Sequence, residues 1–373
     1  AKLVASIDPK RYVGHKHHVV PAFILKRFAN AKNQLLVRDL ARNSVRMVNV
    51  SDLAVTDFYT FINTSGDLDS SYEHLWGEIE GGASRALRDH LQASPFVKPR
   101  PFSVEEKVSL DALVALQLLR GPTLRRVGEL ITDYQIKLTN THLLSVDDMV
   151  DLEFAPHQNE HLQVMARLLE RVATHLATRA AWLVTIDRPG LVICDEPVCL
   201  EPADDEQVVA AKDSSSTRPG PRRQKKDRPQ RPADVIEIRG TGVGLANASE
   251  LAFPLGPTVA LVYDSPGSAG PRQHMRLSGE EAAYFERSVT RICARQAVEW
   301  IAASPENLIL GSIDVAAARP FLTINDGGSL MAKTVNGKPR STPHRLNKKA
   351  RPESSATTAG DVAEGWREDP TDS

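Results

Sequence analysis

Cysteine and long apolar runs are both scarce in this chain. Its 373 residues include three cysteines, Cys194, Cys199 and Cys293, an odd number without a CxxC pair. Such a count favours reduced thiols over a disulfide framework or a structural zinc site. No stretch approaches the roughly 18 uninterrupted apolar residues of a membrane span, and the first residues lack the apolar segment of a secretory signal. We therefore expect a cytoplasmic protein that does not enter a membrane.

An excess of charge of one sign is also missing. The formal net charge is -1, with 46 Lys and Arg against 47 Asp and Glu. This balance argues against a folded domain that attracts nucleic acid through its overall charge. The segments 212–231 and 333–351 are locally basic, and nucleic acid is the partner that such segments could bind. The alternative for both segments is a solvated loop.

Several familiar catalytic motifs are absent from the sequence. It contains no GxSxG elbow, no GxxxxGK[ST] phosphate loop and no HExxH pair. Gly240, Gly242 and Gly244 follow a predicted strand, but their spacing is not that of a GxGxxG motif. We interpret these glycines as a turn between strands and not as a dinucleotide site.

Hydrophobic periodicity predicts an α+β fold with a largely helical first half, a small N-terminal β-hairpin, a mixed or antiparallel sheet in the second half and a long C-terminal helix. Helices are predicted from Pro21 to about residue 29 and at 69–92, 108–120, 122–140, 157–179 and 278–303. Extended segments are predicted at 34–40, 44–50, 57–59, 181–187, 191–194, 235–239 and 259–264. The patterns Ser103-x-x-Glu106 and Ser278-x-x-Glu281 predict capping boxes at two helix starts.

Two stretches have too few apolar residues to repay the entropy of ordering them. Residues 203–233 contain three consecutive serines, several prolines and a basic run, and residues 332–373 have a similar character. We predict a disordered basic insertion at 203–233, inside a single α+β domain that spans 1–320. We also predict a disordered tail at 332–373.

Polar residues recur at defined positions of the predicted helices. At 100° per residue, Glu73 and Glu80 lie together at the edge of an apolar arc, about 10 Å apart along the axis, and Glu78 points the opposite way. Gln117 interrupts the apolar face of the helix that ends at Arg120, and both side chains need buried partners. We expect Glu73 or Glu80 to pair with Arg120.

Histidines and a further carboxylate complete this set. His17 and His18 precede the first helix, and Asp195 ends a predicted strand, a position where sites are commonly built. His17, His18, Glu73, Glu80 and Asp195 are of the residue types that ligate a divalent metal, and imidazole favours Zn, Mn or Fe. The alternative is a structural network, since buried Glu, Arg and Gln side chains often only fix helix register.

The opening run of the chain resembles a known family. His17-His18-Val-Val-Pro21-x-Phe23-x-Leu25-x-x-Phe28 is similar to the H-H-Y-V-P-x-x-Y-L-x-x-F opening of domain of unknown function family 4238, a mostly bacterial and uncharacterised family. Further blocks resemble that family in order: Asp57-Phe58-Tyr59, Glu73, Ile79-Glu80, Gln117-x-x-Arg120-x-Pro122, Ile193-Cys-Asp195-Glu-Pro197-Val198, Phe253-Pro254-Leu255 and Val259-Ala-Leu261. Val19 replaces the usual tyrosine, and Glu196 stands where the family commonly has asparagine. The resemblance implies no established reaction.

Two functional hypotheses follow from these patterns. In the first, the five metal-ligand candidates hold an ion that activates water for hydrolysis of a phosphoester or nucleic acid, while Arg120 and Gln117 are the catalytic candidates and Arg120 steadies negative charge. In the second, the chain is a non-catalytic binding or regulatory module, the polar network is structural, and the basic segments recruit a partner.

Overall fold

The computed structural model describes most of the chain between residues 16 and 325. The described residues are 16–53, 55–56, 61–62, 68–69, 71–91, 100–140, 142–143, 154, 158–202, 235–239, 244–315 and 321–325. The predicted extended segment at 57–59, the glycines at 240 and 242, the whole insertion at 203–233 and the whole tail at 332–373 lie outside them. Disorder of the insertion and of the tail therefore stays a prediction.

Helices dominate the described part of the first half, and strands dominate the second, so the α+β class is confirmed. The helices are α1 (Ala22–Phe28), α2 (Ser71–Leu91), α3 (Val104–Arg120), α4 (Pro122–Thr139), α5 (Gln158–Ala177) and α6 (Gly279–Gln296). The strands are β1 (Lys16–His17), β2 (Gln34–Asp39), β3 (Ser44–Asn49), β4 (Val55–Thr56), β5 (Phe61–Ile62), β6 (Leu68–Asp69), β7 (Ala181–Ile186), β8 (Ile193–Cys194), β9 (Cys199–Pro202), β10 (Val235–Arg239), β11 (Ala248–Gly256), β12 (Val259–Tyr263), β13 (Met275–Leu277), β14 (Trp300–Ala303) and β15 (Phe321–Asn325).

Local sequence signals explain several element ends. Ser103 accepts a hydrogen bond from the backbone N–H of Glu106, and the Glu106 side chain accepts one from the backbone N–H of Ser103, so the predicted capping box of α3 is confirmed. The hairpin β2–β3 also forms as predicted, with Asn43 in its turn at a φ of 49°. The second predicted box is wrong, because the Ser278 side chain makes no capping hydrogen bond to α6.

The end of α6 also differs from the prediction. The spacing of apolar residues in the sequence predicted a helix to about residue 303. In the structure α6 ends at Gln296, and Trp300–Ala303 form strand β14. This strand pairs with β2 on one side and with β8 on the other, in a four-stranded sheet of order β3-β2-β14-β8. Pairing with two distant strands outweighs a local helical pattern. The N-terminal hairpin therefore belongs to a sheet that also contains strands of the second half.

A five-stranded sheet of order β13-β7-β12-β11-β9 forms the centre of the fold. Its neighbouring strands are antiparallel except for β13, which runs parallel to β7. Alternate residues of β7 enter different cores. Trp182, Val184 and Ile186 join the core that also contains residues of α6, whereas Ala181 and Leu183 join the core that contains residues of α1, α2 and α3. Both faces of the sheet are thus covered.

Helices α2, α3 and α5 pack together at one side of this sheet. A third apolar cluster lies among them and includes Val19, Trp76, Leu116 and Met165. No helix of the described residues is long and apolar enough to cross a membrane.

The chain divides into two compact units. The larger comprises residues 1–228 and 238–320, and the smaller comprises 229–237 and 321–373. In the smaller unit the described residues belong to β10 and β15, which pair with each other.

Candidate functional site

The two N-terminal histidines contact different parts of the protein. His17 lies in β1, opposite Val55 of β4, and its side chain is fully buried with Nε2 3.1 Å from Oε2 of Glu73. His18 is half-buried, and its Nε2 donates to the backbone carbonyl of Val50 at 3.2 Å. Neighbouring residues of an extended segment point to opposite faces, which explains the divergence. The side chains of His17 and His18 therefore do not meet at a common site.

The carboxylates of α2 are placed as the helical spacing predicts. Side-chain exposure is 42% for Glu73 and 24% for Glu80, so both are partly enclosed. Glu78, on the other side of the helix, is 49% exposed and pairs with His74 one turn earlier. A single face of α2 thus carries both candidate acids, about 10 Å apart along the axis.

The predicted pairing of Arg120 with an α2 carboxylate is present. Arg120 is 1% exposed, and its Nη1 donates to Oε1 of Glu80 at 2.7 Å. With its amide oxygen facing the guanidinium, Gln117 accepts hydrogen bonds from Nε and Nη2 of Arg120. The buried charge is therefore compensated by one carboxylate and one amide, and these contacts join α2 to α3.

Asp195 makes contacts of another kind. It follows β8, is buried, and accepts hydrogen bonds from the backbone N–H groups of Val298 (3.0 Å) and Glu299 (2.6 Å). Burial, followed by the charge of the adjacent Glu196, raises the pKa of Asp195 to about 8. Both oxygens thus hold the turn between α6 and β14.

Glu196 caps a helix from a distance in sequence. Its Oε1 accepts a hydrogen bond from the backbone N–H of Thr123 at 2.5 Å, at the start of α4. A Cβ on Gly121 would lie 2.1 Å from Oε2 of Glu196, so glycine is needed for this close approach. Burial raises the pKa of Glu196 to about 7. The acidic pair therefore ties β8 to two other elements.

These residues lie within a stretch that matches a family model. The model is described as protein of unknown function (DUF4238), and it matches residues 16–216, more than half of the chain. The chain belongs to the DUF4238 family. No curated protein and no solved structure matches this chain. The matched range holds every candidate metal and catalytic residue of this DUF4238 protein, whereas the block at Phe253–Leu255 lies beyond it.

The five candidate metal ligands of this DUF4238 protein do not form one group in the described part of the chain. Within the described part of the chain, no three His, Cys, Asp or Glu side chains are grouped so that they could hold an ion. His17 and Glu73 meet, but two donors are fewer than the three or four protein ligands of typical zinc sites. The ligand roles of His17, His18, Glu73, Glu80 and Asp195 stay predictions.

A second polar cluster has no motif in the sequence. His90 at the end of α2 lies between Glu106 of α3 and His274, which directly precedes β13. Arg100 makes two hydrogen bonds to Glu106, at 2.6 and 2.7 Å, and the Phe102 ring contacts both histidine rings. Sequence reasoning found Glu106 only as a cap, because 184 residues separate the two histidines and no local pattern links them.

The three cysteines are buried and free. Sγ of Cys199 lies 3.5 Å from Sγ of Cys293. Burial raises the pKa of the Cys194 thiol well above its ordinary value, which disfavours the reactive thiolate. These thiols belong to the core beneath α6.

Proposed function

We propose that this DUF4238 protein is a non-catalytic binding module. One observation carries the proposal: the polar residues that hydrolysis would need are engaged in contacts between elements of the fold. Glu80 and Gln117 hold Arg120 between α2 and α3, and Asp195 holds the turn before β14. His17 contacts Glu73 across β1 and α2. A network used in this way supports a structural role.

The partner of this module is inferred from the charge pattern of the sequence. Residues 212–231 carry eight Lys and Arg against two Asp, and residues 333–351 carry seven Lys and Arg with no acidic residue. Because the whole chain is close to neutral, the remainder is acidic. These two segments, which are rich in Lys and Arg and almost free of acidic residues, are therefore the ones to which we assign the attraction to a polyanion.

Nucleic acid, contacted through its phosphates, is the partner that this composition favours. Neither basic segment contains Phe, Tyr or Trp, so bases cannot stack on aromatic side chains there. Lys and Arg alone give binding that tolerates any sequence and depends strongly on salt. The proposal includes a cytoplasmic location, which the three free thiols support.

Binding of a labelled 30-base-pair DNA, followed by fluorescence anisotropy between 50 and 300 mM salt, tests the proposal. The full chain is compared with a variant in which Arg222, Arg223, Lys225 and Lys226 are changed to Gln. We expect the variant to bind more weakly, with the slope of log K against log salt reduced by roughly 3 to 4, because about four phosphate contacts are lost.

A matched control changes Ser214, Ser215 and Ser216 to Ala in the same segment and should bind like the unaltered chain. The proposal fails if the chain does not bind DNA at the lowest salt. It also fails if the charge variant keeps the original slope.

A further inference from the structure

His90 near the end of α2 and His274 just before β13 contact each other directly. Nε2 of His274 lies 2.8 Å from Nδ1 of His90, and Nε2 of His90 lies 3.2 Å from Oε2 of Glu106. The backbone N–H of Leu183 in β7 donates to Nδ1 of His274 at 3.2 Å. Four groups therefore form one chain, from the central sheet to the start of α3.

The direction of each hydrogen bond in this chain is fixed. Because Leu183 donates to Nδ1 of His274, that nitrogen has no proton, and the proton of the neutral ring is on Nε2. Nε2–H of His274 then donates to Nδ1 of His90, which places the His90 proton on Nε2, facing Glu106. Only this arrangement satisfies all three bonds, and it requires both rings to be neutral.

We propose that His90 and His274 form an acid-released latch, which holds residues 271–277 against α2 and β7 while both rings are neutral. A proton on Nδ1 of His90 would face the Nε2–H group of His274. A proton on Nδ1 of His274 would face the Leu183 N–H group. Either addition therefore replaces one attractive contact with two opposed donors.

Burial and the charge of Arg100 favour the neutral form of His274, whereas the charge of Glu106 opposes them. Arg100 and Glu106 act on His274, and Asp89 of α2 acts in turn on Arg100. Burial, followed by the neighbouring His90 and Arg100, lowers the pKa of His274 to about 4. A lowered histidine pKa contributes stability above the unfolded value of about 6.5, and this contribution is lost as the pH falls from there toward 4.

Besides the histidine contact, the held segment is fixed at Arg272, which pairs with Asp264 and lies 4.8 Å from the centre of the Trp182 ring, and by the short strand β13. Strand β13 has three residues and, among the described strands, pairs with β7 alone, at the edge of the five-stranded sheet. Met275 and Arg276 are exposed, and the first strand pair, Met275 with Val184, follows directly after His274 and Leu183. Loss of the histidine contact therefore frees the edge of β7 at Leu183 before it affects the rest of the sheet.

Hydrogen–deuterium exchange of the full chain at pH 7.5, 6.0 and 5.0, corrected for intrinsic exchange rates, tests the latch. Between pH 7.5 and 5.0 we expect protection of the peptides that cover 181–186 and 271–278 to fall by about tenfold or more, because His274 in the opened segment takes up a proton below its free pKa of about 6.5 and so favours opening. Protection of 259–263 in the adjacent β12 should stay constant. A uniform loss over all three peptides would mean global unfolding and would overturn the latch.

Three variants sharpen the test. His90→Phe keeps a ring against Phe102 but cannot titrate or accept, so 271–278 should exchange rapidly at every pH. His74→Gln, an exposed position on the same helix, should behave like the unaltered chain. A pH response of 271–278 that persists when both His90 and His274 are changed to Phe contradicts the proposal.

A second measurement uses the unaltered chain and therefore does not depend on whether His90→Phe folds. Nitrogen NMR of histidine-labelled protein at pH 7.5 reports the proton position on each ring, and we expect Nε2–H on both His90 and His274. An Nδ1–H form of either ring would overturn the latch.

Discussion

At the scale of single residues, Arg120 shows how a buried charge is accommodated. Its guanidinium is enclosed between α2 and α3 and is compensated by Glu80 and Gln117. Removing one partner of a buried pair leaves an uncompensated charge, whereas removing a solvated carboxylate leaves little behind. We therefore expect Glu80 and Glu78, which lie on the same helix, to contribute differently to the free energy of unfolding.

Glu80→Ala and Glu78→Ala make this difference measurable. We expect Glu80→Ala to lower the free energy of unfolding by about 2 to 3 kcal/mol, because Arg120 keeps only its amide partner. Glu78 is exposed, and its substitution should change stability by less than about 0.5 kcal/mol. Urea unfolding followed by circular dichroism measures both. Equal effects of the two substitutions would contradict a structural role of the Arg120 network.

Sequence patterns predicted part of this residue-scale picture. The spacing of α2 separated Glu73 and Glu80 from Glu78, and the apolar surroundings of Gln117 indicated a buried amide. The same patterns did not predict that Asp195 binds two backbone N–H groups, because its partners are about one hundred residues away. They also did not reveal His90 and His274, since neither belongs to a local motif.

At the scale of elements, the start of α4 depends on a residue from another part of the chain. The N-cap position is Gly121, which has no side chain to cap the helix, and Glu196 supplies the missing acceptor. Glycine is required because a Cβ would occupy the position of the carboxylate. The two residues therefore work only together.

Gly121→Ala is expected to lower the free energy of unfolding by about 1 to 2 kcal/mol, because Glu196 must withdraw and the Thr123 N–H group loses its partner. Gly128, in the same helix, has open space at its Cβ position. Gly128→Ala should therefore raise stability by about 0.5 to 1 kcal/mol. Thermal unfolding of both variants gives the comparison, and a neutral Gly121→Ala would show that Glu196 is not a required cap.

Element boundaries followed local signals where the chain caps itself. The capping box at Ser103 and the turn at Asn43 are both short-range features, and both elements begin or turn where the sequence predicts. At residues 300–303, long-range strand pairing and not the local sequence signal decides the secondary structure. Their helical periodicity is overridden because β2 and β8 offer backbone partners on both sides.

At the scale of the whole molecule, the two functional hypotheses predict different metal contents. A hydrolytic metal site requires several ligands around one ion, whereas a structural polar network does not require a metal ion. In the described part of the chain no three ligand-type side chains come together in that way. The proposed binding module should therefore be purified without a resident ion.

Plasma mass spectrometry of the untagged protein measures this directly. We expect well under one equivalent of Zn, Mn or Fe per chain, unchanged in folded His17→Ala and in the control His74→Ala. Should the unaltered chain carry about one equivalent that His17→Ala loses, the hydrolase hypothesis would replace the binding module. Glu73→Gln offers a second variant if His17→Ala is unstable.

The sequence by itself determined the α+β class, most helix positions, the hairpin, the family resemblance and the edge of α2 that carries Glu73 and Glu80. Apart from the family resemblance, which rests on the order of blocks along the chain, these features depend on spacing within about 20 residues, where backbone geometry dictates which side chains share a face. Only the tertiary structure decided how β14 joins the N-terminal hairpin, which backbone groups Asp195 and Glu196 bind, and that His274 meets His90. Those contacts depend on the packing of distant segments, which no local pattern encodes.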